Sequence, residues 1–226
     1  MYRKLLPVCL ALILAACQTP TPFPENFTGK AKINDYELEI TCEGTGKPTI
    51  ILENGANYKS WDEASTARFS GITRTCRYLR AGMGTRIAGR RTAQDMVNDL
   101  HELLRLNDVP GPYIIVGHSI AETIMVLYTD QYPQDVAGLV CVDCWPSTYM
   151  ANFLEILSAP DLPDFPQKRD YLEGLQNWSA GKINDWASTL ELLDTFASDK
   201  QVLEVTSLGD IPFAVLVSGG EWALTD

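Results

Sequence analysis

The stretch Tyr113-Ile114-Ile115-Val116-Gly117-His118-Ser119-Ile120-Ala121-Glu122 constrains this chain more than any other. An apolar run breaks at Gly-His-Ser and a helix-like segment begins at once. The residues read as strand, sharp turn and helix, with a serine at the apex. Such a turn stands a hydroxyl clear of a sheet, where a base and a carbonyl carbon can reach it. A tight-turn serine without chemistry is the other reading of the same residues.

Strands and helices alternate on either side of it. Tyr36 to Cys42 alternates as a strand, turned by Gly44-Thr45-Gly46, and Pro48 to Leu52 is a second strand ending at Glu53-Asn54-Gly55-Ala56. Trp61 to Phe69 reads as a helix, and Thr75 to Arg80 as a strand running into Ala81-Gly82-Met83-Gly84. Thr92-Ala93-Gln94-Asp95 resembles a capping box, and Met96, Val97, Leu100, Leu103 and Leu104 then recur at helical spacing. Asn107 to Pro112 stops that helix. A further helix runs from Ala121 to about Gln131, and Val136 to Val142 is another apolar strand. This order predicts an α/β fold, a doubly wound, mostly parallel sheet covered on both faces. From Trp145 to Gly209 prolines at 146, 160, 163 and 166 interrupt the pattern. Leu172, Leu175, Trp178, Trp186, Leu190, Leu193 and Phe196 there predict short amphipathic helices, an insertion over the ligand end of the sheet whose tryptophans would give the cleft apolar walls. Ile211 to Val217 returns to strand.

With 226 residues, 46% of them hydrophobic, the chain suits one domain with a sizeable core. Its formal net charge of −11, with no basic run, argues against nucleic acid as a partner. The N-terminus reads as a targeting segment. Tyr2-Arg3-Lys4 is a basic head, Leu5 to Ala16 is apolar and too short to span a membrane comfortably, and Leu14-Ala15-Ala16-Cys17 resembles the lipobox of bacterial lipoproteins. That resemblance implies a signal peptide over 1–16, lipidation of Cys17 and a Pro-rich tether over 17–33; an ordinary signal cleaved after Ala16 is the alternative. Gln18 in place of aspartate points to the outer rather than the inner membrane of a bacterial envelope, with the domain facing the periplasm and tethered by acyl chains.

Removing 1–16 leaves Cys17, Cys42, Cys76, Cys141 and Cys144. Cys141 and Cys144 form a C-x-x-C at the end of an apolar strand. Redox and zinc roles are open to such a pair, but buried-thiol packing for Cys141 is the expectation, since no second ligand pair lies nearby in sequence.

From about Asn34 to Val217 the chain resembles the α/β-hydrolase family. Gly117-His118-Ser119-Ile120-Ala121 stands where that family has Gly-x-Ser-x-Gly, and Glu53-Asn54-Gly55-Ala56 where its first oxyanion turn lies. Tyr78-Leu79-Arg80-Ala81-Gly82-Met83-Gly84 resembles its Tyr-Asp-Arg-x-Gly-x-Gly loop, and Gly138 to Asp143 its strand before the lid. The resemblance implies an α/β-hydrolase domain over 34–226 with a lid at about 145–209. It also implies that the family's last strand and helix, which carry the histidine, fall beyond residue 226. The family's sheet order places the strand ending at Cys42 antiparallel to the strand beginning near Cys76, which implies a Cys42–Cys76 disulfide.

The same resemblance assigns roles. Ser119 is the candidate nucleophile, and the backbone N–H groups of Ile120 and of Gly55 or Ala56 are the oxyanion donors. Asp143 is the candidate acid, or a strand-end cap; Glu221 is the alternative acid and Asp226 a weaker one. Ala121 replaces the second glycine, and Glu122 follows it near a helix N-terminus. The base is missing. His101 and His118 are the sequence's only histidines; His101 rides a flanking helix, and His118 sits in the turn, where neighbouring side chains point apart. Two functions follow from this. One is a lipid-anchored serine hydrolase for carboxylic ester or amide bonds of small or lipid-like substrates, inactive in this chain. The other is a non-catalytic envelope lipoprotein that binds a ligand or partner in the same cleft. No cofactor motif is visible and no metal is expected.

Overall fold

The computed structural model describes residues 22–56, 61–83, 85, 87, 89–144, 149–161, 168–179 and 193–218. Cys17, Trp145, Trp186, Glu221 and Asp226 lie outside them. The strands are β1 (Phe27–Ile33), β2 (Tyr36–Glu43), β3 (Thr49–Glu53), β4 (Thr75–Tyr78), β5 (Tyr113–His118), β6 (Val136–Val142) and β7 (Phe213–Leu216). They form one sheet in the order β1-β2-β4-β3-β5-β6-β7. β1 and β2 are antiparallel to their neighbours, and every pair from β4 to β7 is parallel.

The helices α1 (Glu63–Ser70), α2 (Ala93–Leu106) and α3 (Ala121–Gln131) join these strands; α4 (Tyr149–Ser158), α5 (Lys168–Ser179) and α6 (Thr195–Leu203) lie between β6 and β7. β3 is buried along its whole length, as a strand covered on both faces must be. Its alternate residues serve opposite faces. Ile51 joins the core with Met96, Leu100 and Ile124 of α2 and α3, while Ile50 and Leu52 join Val116, Trp61 and Phe69 on the α1 side. The start of α2 is fixed as its sequence requires: the Asp95 carboxylate accepts hydrogen bonds from the Thr92 N–H (2.8 Å) and hydroxyl (3.0 Å).

Two features depart from the sequence reading, and one expected bond is present. The sheet begins earlier than expected, because residues 27–33, assigned to the tether, form β1, with Phe27 opposite Cys42 and Ile33 opposite Tyr36. Small and lysine residues alternate there, and only Ala31 and Ile33 are buried, so an edge strand leaves little apolar signal. Phe23 lies against Phe27, with ring centroids 4.7 Å apart, and so the tail is already docked. Cys141, expected as a packed free thiol, is bonded to Cys144. Cys42 and Cys76 stand opposite each other across β2 and β4 and are joined by the other disulfide, both fully buried.

α6 crosses the beginning of α2. The Ala93 N–H donates to Ser198 Oγ (2.8 Å), the Gln94 N–H to Gln201 Oε1 (3.1 Å), and Asp194 pairs with Arg90. β7 is exposed along its length, with Val215 at 60% and Val217, just beyond it, at 78%. No helix among the described residues is long and apolar enough to cross a membrane.

Candidate active site

β3, β5 and β6 end side by side: Glu53 pairs with Gly117, Gly117 with Cys141, and His118 with Val142. Ligand sites of parallel sheets form beyond such carboxyl ends. Here the chain leaves β3 into Asn54-Gly55-Ala56, β5 into Ser119 and β6 into Asp143.

Ser119 has φ = 57°, in the left-handed region that serine rarely occupies. Two neighbours hold the turn. The Ser119 N–H donates to the Val142 carbonyl at 3.3 Å. Gly117 permits a close approach of β5 and α3, since a Cβ there would lie 2.8 Å from the Ala121 Cβ and 2.2 Å from Met125 Sδ. The second glycine of the motif is therefore dispensable here: the Ala121 methyl fills the space that Gly117 leaves, and Ala121 is fully buried.

The turn after β3 abuts this serine. A Cβ on Gly55 would lie 3.3 Å from the Ser119 Cβ and 2.8 Å from His118 Nδ1. Beneath it lies a network that sequence reasoning missed. Glu53, with no exposed surface, pairs with the buried guanidinium of Arg80 and accepts the Tyr78 hydroxyl at 2.5 Å. Arg80 also donates to the carbonyls of Asn54 (2.6 Å) and Gly55 (2.7 Å), and the Asn54 side chain donates to the Tyr78 carbonyl (2.9 Å). In a trans peptide the N–H points away from the preceding C=O. Arg80 thus draws two successive carbonyls to one side and turns the N–H groups of Gly55 and Ala56 to the other. Burial, followed by the Glu53 charge, pushes the Tyr78 phenol well above its ordinary value. The quoted motifs contain Glu53, Tyr78 and Arg80, but nothing in their spacing says that the charges are buried together.

Asp143 occupies the opposite shoulder. Its φ is 44°, its N–H donates to the Leu216 carbonyl (2.8 Å), and its carboxylate accepts the Ser218 N–H (2.5 Å). The structure thus brings Ser119, Ile120, Gly55, Ala56 and Asp143 to one end of the sheet. It separates His101, whose ring stacks on Tyr132 with centroids 3.8 Å apart on the α2–α3 side. A groove of about 390 Å³ runs from Asn54 and Trp61 over Tyr78, Leu79 and Arg77. The larger groove, about 480 Å³, lies away from these strand ends. There Tyr36 donates to Asp99 and Arg91 pairs with the same carboxylate at 2.6 Å, a tie between β2 and α2. Burial raises the Asp99 carboxyl despite that partner and pushes the Tyr36 phenol to about 12.

No family model matches the sequence. Over 105 residues the chain is 37% identical to YqjL of Bacillus subtilis, covering 45% of this chain and 41% of YqjL. Over 106 residues it is 35% identical to efuK of Hormonema carpetanum, named as a transporter, covering 43% of this chain and 15% of that protein. The chain thus spans well under two thirds of either relative. Among solved structures it is similar to Cfl2 of Burkholderia cenocepacia (TM-score 0.55, 14% identity, 84% of this chain and 78% of that one). It is also similar to the enol-lactonase of Burkholderia xenovorans (TM-score 0.51, 14% identity, 83% and 80%). A third is AqdC, which recognises the Pseudomonas quinolone signal and cleaves its ring (TM-score 0.51, 17% identity, 84% and 80%). At such identities the likeness is one of fold, and with the strand order and the Ser119 turn it identifies the fold of this chain as that of the α/β-hydrolases.

Proposed function

We propose that the chain carries the acyl-transfer site of a serine hydrolase for carboxylic ester or amide bonds, with Ser119 as nucleophile, and that the 226 residues do not themselves supply its base. The observation that carries this reading is the left-handed Ser119 between β5 and α3, a strained conformation at the ligand end of the sheet. Ser119 Oγ would attack the carbonyl carbon. The N–H groups of Ile120 and of Gly55 or Ala56 would receive the oxyanion, each such donor contributing about 3–4 kcal/mol to the transition state. Asp143 would orient a base, with Glu221 as the alternative acid. His101 is stacked on Tyr132 on the α2–α3 side and does not take the place of that base; His118 is the turn's own residue, beside Gly55, and is proposed as a packed side chain. A hydroxyl without a base is a weak nucleophile at neutral pH.

Residues 1–16 are proposed to direct export and Cys17 to carry lipid, placing the domain on the periplasmic side of a bacterial envelope membrane, the outer rather than the inner, within reach of small or lipid-like esters. Two disulfides among the described residues suit an oxidising compartment. Incorporation of labelled palmitate that is lost in Cys17→Ser tests the anchor.

The test of the site is labelling by a fluorophosphonate probe with and without free imidazole as a substitute base. Negligible labelling alone, a rise with imidazole and loss of both in Ser119→Ala is the expected result. Strong labelling without imidazole would place a base within this chain. No labelling under either condition would favour the second reading, an α/β-hydrolase-like lipoprotein that binds a ligand or partner without turnover; the absence of an aligned histidine is what supports it.

A further inference from the structure

The Cys141–Cys144 disulfide closes a short loop around two groups of the site. Val142, inside the loop, lends its carbonyl to the Ser119 N–H, and Asp143, next to it, holds the left-handed conformation and accepts the Ser218 N–H. Cys144 Sγ lies 3.7 Å from the Gly117 carbonyl, so the bond rests on the approach to Ser119. The two disulfides differ in access. Cys42 and Cys76 have no exposed surface, and Cys141 is 2% exposed, but Cys144 is only half-buried. Exchange requires a thiolate to reach a sulfur, and Cys144 is the least buried of the four cysteines in the two bonds.

We propose that Cys141–Cys144 is a redox-active disulfide, reducible by a dithiol carrier, that holds Asp143 and the Ser119 turn in register. A thiolate of the dithiol attacks Cys144 Sγ, forming a mixed disulfide and releasing Cys141 as a thiolate, which takes up a proton. The second thiol of the carrier attacks its own half of the mixed disulfide, releases Cys144 and closes the carrier's disulfide. Two electrons and two protons pass from the dithiol to the protein. Opening the loop frees Val142 and Asp143 from their closure, so the hydrogen bonds from Ser119 and Ser218 loosen together. Only the catalytic consequence rests on the Ser119–Asp143 reading; the reduction and the loosening stand apart from it.

The experiment titrates the full chain with dithiothreitol under native conditions, alkylates the released thiols and maps them by peptide mass spectrometry, with hydrogen exchange recorded in parallel. The expected result is reduction of 141–144 at about ten-fold lower dithiol than 42–76, with faster exchange at 139–144 and 213–218 and none gained in β2 or β4. Cys144→Ser should show the same exchange pattern without reductant. Simultaneous reduction of both disulfides, or reduction of 141–144 with unchanged exchange at Ser218, would overturn the proposal. Imidazole-dependent probe labelling, run on both redox states, separates the two readings. Its absence in both states counts against the hydrolase site and leaves the redox result standing.

Discussion

The two shoulders of the Ser119 turn are built differently. On the β3–β4 side, Glu53, Arg80 and Tyr78 form a buried, mutually bonded network, and Arg80 grips the two carbonyls that orient the Gly55 and Ala56 N–H groups. On the β6–β7 side, Asp143 depends on one carbonyl of β7, one N–H beyond it and a disulfide whose Cys144 is half-buried. A pre-organised donor site keeps its geometry without cost at the moment of reaction. The buried network fixes the first shoulder in that manner, and the second rests on fewer contacts.

The largest test of this contrast is Arg80→Ala. It leaves Glu53 buried without its cation, and removing one partner of a buried pair costs about 3–5 kcal/mol. Urea unfolding measures the loss, and a loss below about 1 kcal/mol would put both shoulders on the same footing. The network also has an alkaline signature. Tyr78 ionises in the folded protein well above its ordinary value of 10.0, so the stability its burial supports is fully present below that pH. It is lost as pH rises further, because the unfolded chain releases the proton first. Tyr113, raised to about 12 by burial, adds to the same decline. Unfolding monitored by phenolate absorbance should therefore begin above pH 10.

The disulfides give the next comparison. Cys42–Cys76 closes a separation of 34 residues and Cys141–Cys144 one of 3. On chain entropy alone the first contributes about 3–4 kcal/mol and the second roughly 1–2 kcal/mol. Replacing each pair by alanine and measuring unfolding should reproduce that order. A larger loss at 141–144 would mean that the β6–β7 shoulder is the stiffer one. Ser119 itself lies between the shoulders. Ser119→Gly relieves a left-handed cost of about 1–2 kcal/mol and adds the backbone freedom of glycine, about 0.5–1 kcal/mol. A net gain of up to about 1 kcal/mol with loss of the imidazole-dependent probe labelling is expected from thermal unfolding and labelling together.

Much of this fold was legible in the sequence, for physical reasons that differ by element. β3 and β5 are continuous apolar runs because both their faces are covered, and α2 repeats its apolar residues at helical spacing between a capping box and Asn107. The family's sheet order implied the pairing of Cys42 with Cys76, which no spacing could have fixed. β1 escaped because half of an edge strand faces water, so Lys30 and Lys32 interleave with small residues. Ser119, Gly55 and Asp143 could be placed because each lies in the turn that follows a strand. The Glu53–Arg80 pair could not, since burial of a charge depends on what packs over it. Nor could the Cys141–Cys144 bond, where the same C-x-x-C serves a packed thiol or a disulfide and only the turn at Asp143 decides.

The smallest effect on stability, and the sharpest contrast, lies at the two edges of the sheet that the described residues form. β1 presents exposed Lys30 and Lys32, with Lys30 paired to Glu37 at 3.0 Å, and charged side chains discourage another strand from adding there. β7 presents Phe213, Ala214, Val215 and Leu216, with Phe213 45% and Leu216 56% exposed and no charge among them. Short apolar edges of this kind invite pairing with another chain. Val215→Lys places on β7 the device that β1 already has. Because Val215 is 60% exposed, folding stability should change by no more than about 0.5 kcal/mol. Self-association, followed by sedimentation across a range of protein concentrations, should fall clearly below that of the unsubstituted chain. Ile72→Lys, at an exposed apolar position just after α1, adds the same single positive charge and serves as the charge-matched control; it should leave association unchanged. If both substitutions reduced association equally, net charge rather than the β7 edge would be its cause, and the two edges would not differ in the way their residues imply.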